Sequence, residues 1–134
     1  MDAKYIIIQR HKGHWGTITN YGWTTLADAY YGIAKQAMDV VQSWGSKPVC
    51  KDRAYQVVRI GSAVTVREFT HNEAIALYYV LYKKAFGNYP YRLSKVEIEH
   101  MQLSICPQKL IVTGKKIFDE VSWKKQKCWG KKIA

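Results

Sequence analysis

Histidines and carboxylates are the side chains of this chain that could bind a metal or transfer a proton. His11 and His14 are separated by the turn-forming pair Lys12-Gly13, so we expect them to face each other across a hairpin. A structural zinc ion needs four ligands, and no third candidate lies near these two in the sequence. The acidic residues are few and scattered, whereas a two-metal nuclease needs converging carboxylates. We therefore predict no metal and no cofactor.

The remaining histidines do not indicate an enzyme. His71 lies just inside a predicted helix start, where a polar residue is ordinary. His100 lies near Glu97 and Glu99, which could raise its basicity, but general acid–base catalysis also needs a group to act on. The sequence contains no Walker motif, GxGxxG, GxSxG or HExxH. We therefore predict no enzyme.

Aromatic residues interleaved with basic ones are a second chemical signal. Trp15 beside Arg10, and Trp123 beside Lys124 and Lys125, are harder to bury than the tyrosines of the helical stripes. Aromatic faces flanked by cations can stack on bases and bind phosphates. They suit a protein interface equally well, and a tryptophan covered by its own chain is the structural alternative.

Positive charge is concentrated near the C-terminus. The chain has 21 Lys and Arg against 10 Asp and Glu, for a net charge of +11. Residues 109–134 hold eight lysines and two acids, which is more than half of the excess. This asymmetry is typical of a segment that faces a polyanion, with a solubilising surface as the alternative. The predicted partner is nucleic acid or a nucleoprotein complex.

These signals predict a small, basic, non-enzymatic binding protein that contacts nucleic acid through basic and aromatic residues. The candidate binding residues are Arg10, Lys12, His14, Trp15, Arg67, Trp123, Lys124, Lys125, Lys127, Lys131 and Lys132. The alternative is a protein-binding inhibitor of a host nucleoprotein complex, such as a phage-encoded counter-defence protein. This alternative is based on small size and the lack of catalytic motifs.

The cysteines and the lengths of the apolar runs indicate in which cellular compartment the protein is expected. Cys50, Cys106 and Cys128 are odd in number and widely spaced, which is typical of reduced thiols rather than of a disulfide framework or a metal site. The apolar runs are too short for a membrane span, and the first fifteen residues do not resemble a signal peptide. We predict a cytoplasmic protein with no membrane partner.

The first predicted hairpin carries Arg10 and Trp15. Its strands are Tyr5–His11 and His14–Asn20, and a two-residue turn between them pairs Arg10 with Trp15. A helix follows, capped by a threonine at position 24 or 25 and running to about Trp44.

The second predicted hairpin comprises Ala54–Ile60 and Ala63–Phe69. Gly61 opens its two-residue turn and suits a positive φ. This turn pairs Val58 with Thr65 and Tyr55 with Glu68. The face predicted to be buried carries Tyr55, Val57, Val64 and Val66, whereas Arg67 lies on the other face.

A second helix follows this hairpin. Thr70 and Glu73 form a capping box at its start, and Gly87 ends it in the left-handed conformation. Lys83 and Lys84 in its last turn are read as partners of the negative end of the helix dipole.

The overall prediction is a single α+β domain over residues 1–134, with an antiparallel sheet of two hairpins and helices on one face. The C-terminal part is less regular. Ser94-x-x-Glu97 favours a short helix over a strand, and Lys109–Thr113 is predicted to be a short strand ended by Gly114. The basic C-terminal helix and tail cover residues 114–134. Its helix, Ile117–Trp129, is expected to direct Trp123 outward with Lys124 and Lys127.

Overall fold

The computed structural model describes residues 4–11, 13–17, 22–44, 53–62, 64–87, 107–121 and 123. Its elements, in chain order, are β1 (Tyr5–His11), β2 (His14–Thr17), α1 (Leu26–Trp44), β3 (Ala54–Arg59), β4 (Thr65–Thr70), α2 (His71–Phe86) and α3 (Pro107–Phe118). The four strands form one antiparallel sheet in the order β2-β1-β3-β4, with the helices on one face. The predicted α+β class is confirmed. The predicted helix around Ser94 lies outside the described residues.

The first hairpin has the predicted register. His11 pairs with His14, Arg10 with Trp15, and Ile8 with Thr17. Gly13 supplies the positive φ of the turn, at 80°. β1 also pairs with β3, so the two hairpins join through their central strands and form a continuous sheet.

The second hairpin departs from its predicted register after the turn. Val58 pairs with Thr65 as expected, but a bulge between Val57 and Val58 then shifts the pairing by one residue. Tyr55 therefore pairs with Phe69, and its predicted pairing with Glu68 is wrong. Because side chains alternate along a strand, this shift turns Phe69 toward the core.

Because of this bulge, the predicted core face is only partly right. Tyr55 and Val57 are buried as expected, but Val64 and Val66 are 56% and 40% exposed. Arg67 pairs with Val57 and lies on the helix side of the sheet instead of the opposite face.

The predicted helix caps of α1 and α2 are confirmed. The backbone N–H of Asp28 donates to the Thr25 hydroxyl at 3.1 Å. The Glu73 amide donates to the Thr70 hydroxyl at 3.1 Å, and the Thr70 amide donates to the Glu73 carboxylate at 2.8 Å. Gly87 ends α2 with a φ of 82°. These local hydrogen bonds fix where α2 begins immediately after β4.

The predicted strand over Lys109–Thr113 is wrong, because this segment lies within α3. Pro107 is the first residue of the helix, where the missing proline N–H costs no hydrogen bond. Gly114 is buried against α2. A Cβ at this position would overlap the Ala76 carbonyl oxygen and lie 2.6 Å from Val80 Cγ2.

The predicted helix Ile117–Trp129 is also wrong in its described part. The helix ends at Phe118, the chain turns through residues 119–121, and Trp123 is not helical. Residues 124–134 lie outside the described residues.

One apolar core joins the sheet to the helices. Its fully buried side chains include Ile7, Tyr55, Val57 and Phe69 from the strands, Ile33 and Met38 from α1, Ile75 and Leu77 from α2, and Leu110 and Ile117 from α3. Across the described part of the chain, every helix is too short or too polar to cross a membrane.

Candidate binding surfaces

Arg10 and Trp15 form a pair on neighbouring strands at one side of the sheet. Their cross-strand pairing brings the Arg10 guanidinium to 5.0 Å from the centre of the Trp15 ring. This distance is within the range of a cation–π interaction. Trp15 is 40% exposed and its neighbour His14 is exposed as well. Lys12, the remaining candidate from this hairpin, lies outside the described residues.

The Arg10–Trp15 pair belongs to the sheet face that the described helices leave uncovered. Alternation along the strands puts Ile6, Ile8, Arg10, Trp15, Gln56, Val58 and Glu68 on this face, which we call the open sheet face. The charges on its described strand residues are Arg10 and Glu68, and Glu68 accepts a hydrogen bond from the Gln56 amide at 2.7 Å. The described strand residues of the open sheet face are therefore mixed aromatic and aliphatic and carry little charge.

Arg67, a predicted binding residue, uses its guanidinium inside the protein. Its Nε donates to Glu120 at 2.9 Å, Nη1 donates to the Glu68 carbonyl at 3.0 Å, and Nη2 lies 3.5 Å from Glu73. The guanidinium carbon lies 4.3 Å from the centre of the Phe69 ring. Burial alone would lower the pKa of Arg67, but the hydrogen bond and charge of Glu120 outweigh it and raise the pKa. These contacts join the end of α3 to the start of α2 and favour a structural role.

Two tyrosines in the core have their phenols held in the neutral form. Burial first, and then the neighbouring Glu120 carboxylate, raise the pKa of Tyr30 to about 12. Burial also raises the pKa of Tyr55 to about 12. The Tyr55 hydroxyl lies 3.0 Å from Nδ1 of His71, which is itself buried at the start of α2. His71 is thus an internal residue of the helix–sheet junction rather than a surface histidine.

Most of the described exposed lysines are carried by the helices, on the other side of the molecule from the open sheet face. Lys84 of α2 and Lys109, Lys115 and Lys116 of α3 are all exposed. We call these four lysines the helical basic surface. Among the described residues, Lys109, Lys115 and Lys116 form no ion pair with an acidic side chain. Of the two acids that follow α3, Glu120 is paired with Arg67, so Asp119 is the exposed acid left near these lysines.

The lysines of α3 belong to the predicted basic segment 109–134, but the helix that carries them was not predicted. Leu110, Gly114 and Ile117 are all buried and recur at intervals of four and three residues. This is the spacing of one helix face, so the sequence did contain a signal for α3.

Trp123 does not point outward with the C-terminal lysines, contrary to the prediction. It is half-buried, and its ring stacks on Phe118 with centres 5.0 Å apart and planes within 6°. Its indole N–H donates to the Phe118 carbonyl at 2.6 Å. Because α3 ends at Phe118, the turn that follows can bring Trp123 back onto the helix end. Lys124, Lys125, Lys127, Lys131 and Lys132 lie outside the described residues.

The described residues contain no group of three histidines, cysteines or carboxylates that could hold a metal. No protein-family profile, curated protein or solved structure gives a significant match to this chain. Its function therefore has to be inferred from the chemistry of its surfaces.

Proposed function

We propose that this protein is a non-enzymatic, cytoplasmic binding protein whose ligand is nucleic acid. The observation that carries the proposal is the helical basic surface, in which exposed lysines from α2 and α3 lie on one layer of the fold. A net charge of +11 and the five further lysines that follow Trp123 add to this positive potential. Lysines that neutralise phosphates release condensed counterions, which supplies most of the free energy of non-specific nucleic-acid binding.

The chemistry of the helical basic surface favours contacts to the phosphate backbone. Lysine carries a compact, flexible point charge, in contrast to the planar fork of arginine, which can read a base edge through two hydrogen bonds. Backbone contacts position a protein on nucleic acid and carry little sequence information. The expected binding is therefore strong at low salt and only weakly dependent on sequence.

A binding titration with lysine variants tests this proposal. Fluorescence anisotropy with a labelled single strand and its duplex should detect binding by the parent protein at low salt. Replacing Lys109, Lys115 and Lys116 together by Gln should weaken binding to both probes by a similar factor. Lys35→Gln is the control, because Lys35 is paired with Asp39 on α1, away from α3. Absence of binding by the parent to either probe would overturn the proposal.

A second candidate function is a protein-binding inhibitor of a host nucleoprotein complex, such as a phage-encoded counter-defence protein. The open sheet face favours this candidate, because it presents an exposed tryptophan and an arginine among strand residues that carry little charge. Tryptophan and arginine are common hot-spot residues of protein interfaces. A pull-down with and without nuclease separates the two functions. A partner that survives nuclease treatment and is lost in Trp15→Ala supports the inhibitor, whereas a partner lost with nuclease supports nucleic-acid binding.

A further inference from the structure

The end of α3 brings together aromatic rings and a lysine from a different helix. Phe118 is stacked on Trp123, and Nζ of Lys84 lies 5.4 Å from the centre of the Phe118 ring. This distance is within the range of a cation–π interaction, which positions the ammonium group. Lys84 itself remains exposed, so its charge is available to a ligand in solvent.

Lys115 of α3 is the second exposed lysine near this end of the helix. It lies three residues before Phe118, and side chains at this spacing are neighbours on a helix surface. Lys115 is exposed and forms no ion pair with a described residue, including Asp119 one turn further on. Two exposed lysines from two helices thus lie near one aromatic stack, Lys84 by its contact with the Phe118 ring and Lys115 by its position on α3.

The segment from Gly114 to Trp123 is held to the rest of the protein at several points. Gly114 packs directly against Ala76 of α2, and Glu120 is bound by Arg67. The side chain of Val121 packs against the core, and Trp123 is held by both its ring stack and its indole hydrogen bond. The position of Trp123 relative to Lys84 is therefore defined by packing.

The chain continues from Trp123 into two further lysines, Lys124 and Lys125. Adjacent Cα atoms are about 3.8 Å apart, so the first of these lysines starts one peptide bond from the stack. Lys124 is thus covalently attached to a residue of the stack that Lys84 contacts. Fixing the start of a charged segment lowers the conformational entropy that it loses when it binds a ligand.

We infer that Lys84 and Lys115 form a binding site for the phosphate backbone of nucleic acid at the Phe118–Trp123 stack. Trp123 acts there as a positioning residue, because its packing fixes the residue to which Lys124 is attached. This inference rests on the proposed function and adds to it a specific site, which includes a residue of α2 that the C-terminal charge excess does not contain.

Single charge removals test the phosphate site. Lys84→Gln and Lys115→Gln should each weaken binding of a labelled oligonucleotide about two- to fivefold at low salt, as for one exposed ion pair. Each should also make the slope of log K against log salt less steep by about 0.9. Lys35→Gln removes the same charge from α1 and should bind like the parent protein. If the parent binds and the Lys84 and Lys115 variants both behave like Lys35→Gln, the site is wrong while the proposed function stands. Failure of the parent to bind contradicts both.

A double-mutant cycle tests the role of Trp123. Trp123→Ala should weaken binding about as much as the pair Lys124→Gln and Lys125→Gln, and the combined variant should be little weaker than either. Additive losses, or full affinity in Trp123→Ala, would overturn the positioning role. Circular dichroism and Tm must first show that the variant is folded. If it is not, Trp123→Phe replaces it, since it keeps an aromatic stack, loses the indole donor, and should show a smaller loss with the same non-additivity.

Discussion

Arg10 and Trp15 are directly opposed across two strands, so the backbone register itself holds the cation beside the ring. A ring held in this way loses little side-chain entropy on binding, which is one reason why tryptophans are effective contact residues. The described strand residues of the open sheet face carry little charge. This face is therefore better suited to discriminating between partners than to attracting a polyanion.

Replacing Trp15 or Arg10 by Ala should therefore change the ratio of affinities for different targets. The measurement is the affinity for a pyrimidine-rich and a purine-rich single strand, because base stacking depends on base type. Exposed substitutions usually change stability by no more than about 0.5 kcal/mol, so Tm should stay close to that of the parent. An equal loss of affinity for both oligonucleotides would show that these residues do not discriminate between targets. A large fall in Tm would show that Trp15 is structural.

The raised pKa of Tyr30 predicts that the protein loses stability at alkaline pH. Its pKa is about 12 in the folded protein, against an ordinary value of 10. Between these values the folded state keeps a proton that the unfolded state releases, so stability is complete below pH 10 and falls as pH rises toward 12.

Urea unfolding at pH 9 and pH 11 checks the contribution of Tyr30. Tyr30→Phe should lose less stability than the parent between these two values, because its ring has no proton to release. Tyr55→Phe should behave in the same way, since the pKa of Tyr55 is also raised to about 12. A loss in Tyr30→Phe equal to that of the parent would contradict this assignment.

At the scale of elements, the contact between α2 and α3 depends on Gly114. Alanine is about 1 kcal/mol better than glycine in an exposed helix interior, so propensity alone favours Gly114→Ala. At this position, however, the added Cβ would overlap the Ala76 backbone. We expect the variant to be destabilised by about 1–3 kcal/mol, as for other overpacked cores.

Chemical denaturation of Gly114→Ala and of a control variant measures this effect. Gly16→Ala is the matched control, because no atom lies within 4 Å of the position of its added Cβ. The control should stay close to the parent. A Gly114→Ala variant as stable as the parent would show that α3 does not pack as closely on α2 as described.

Features set by neighbouring residues could be predicted from the sequence. The turns at Gly13 and Gly61, the capping box of Thr70 and the αL cap at Gly87 each depend on a few residues of contiguous chain. The bulge beside Val57 could not be predicted in this way. It moves the hydrogen-bonding register by one residue, and the gain is the burial of Phe69 in a core built by other elements.

The wrong prediction of a strand within α3 has a different physical cause. Lys109–Thr113 contains β-branched residues, and Pro107 and Gly114 flank it like strand boundaries. The proline is instead tolerated at the first helical position, and the glycine allows close contact with α2. Close packing between helices comes from the tertiary structure, and it overrides the local propensity at these positions.

At the scale of the whole molecule, charge and exposed aromatic surface are separated onto two layers. The helices carry Lys84, Lys109, Lys115 and Lys116, whereas the open sheet face carries Trp15 and a single described arginine. The sequence predicted both kinds of surface.

The grouping of Lys84 with α3 could not be predicted, because it depends on how the helices pack. From the sequence, Lys84 is therefore interpreted only as a partner of the helix dipole. Arg67 and Trp123 were placed among the binding residues because their internal partners, Glu120 and Phe118, become neighbours only through the fold.

The salt dependence of binding tests the central claim most directly. Anisotropy titrations between 50 and 200 mM salt should give a slope of log K against log salt of about −2.7 or steeper, corresponding to at least three neutralised phosphates. Replacing Lys124, Lys125 and Lys127 by Ala should make this slope less steep, weaken binding to every target by a similar factor, and leave the fold intact. A parent protein that does not bind, or binds with a slope near zero, would contradict nucleic-acid binding through lysines. A lysine variant that binds as tightly as the parent would show that the basic C-terminus serves only as a solubilising surface.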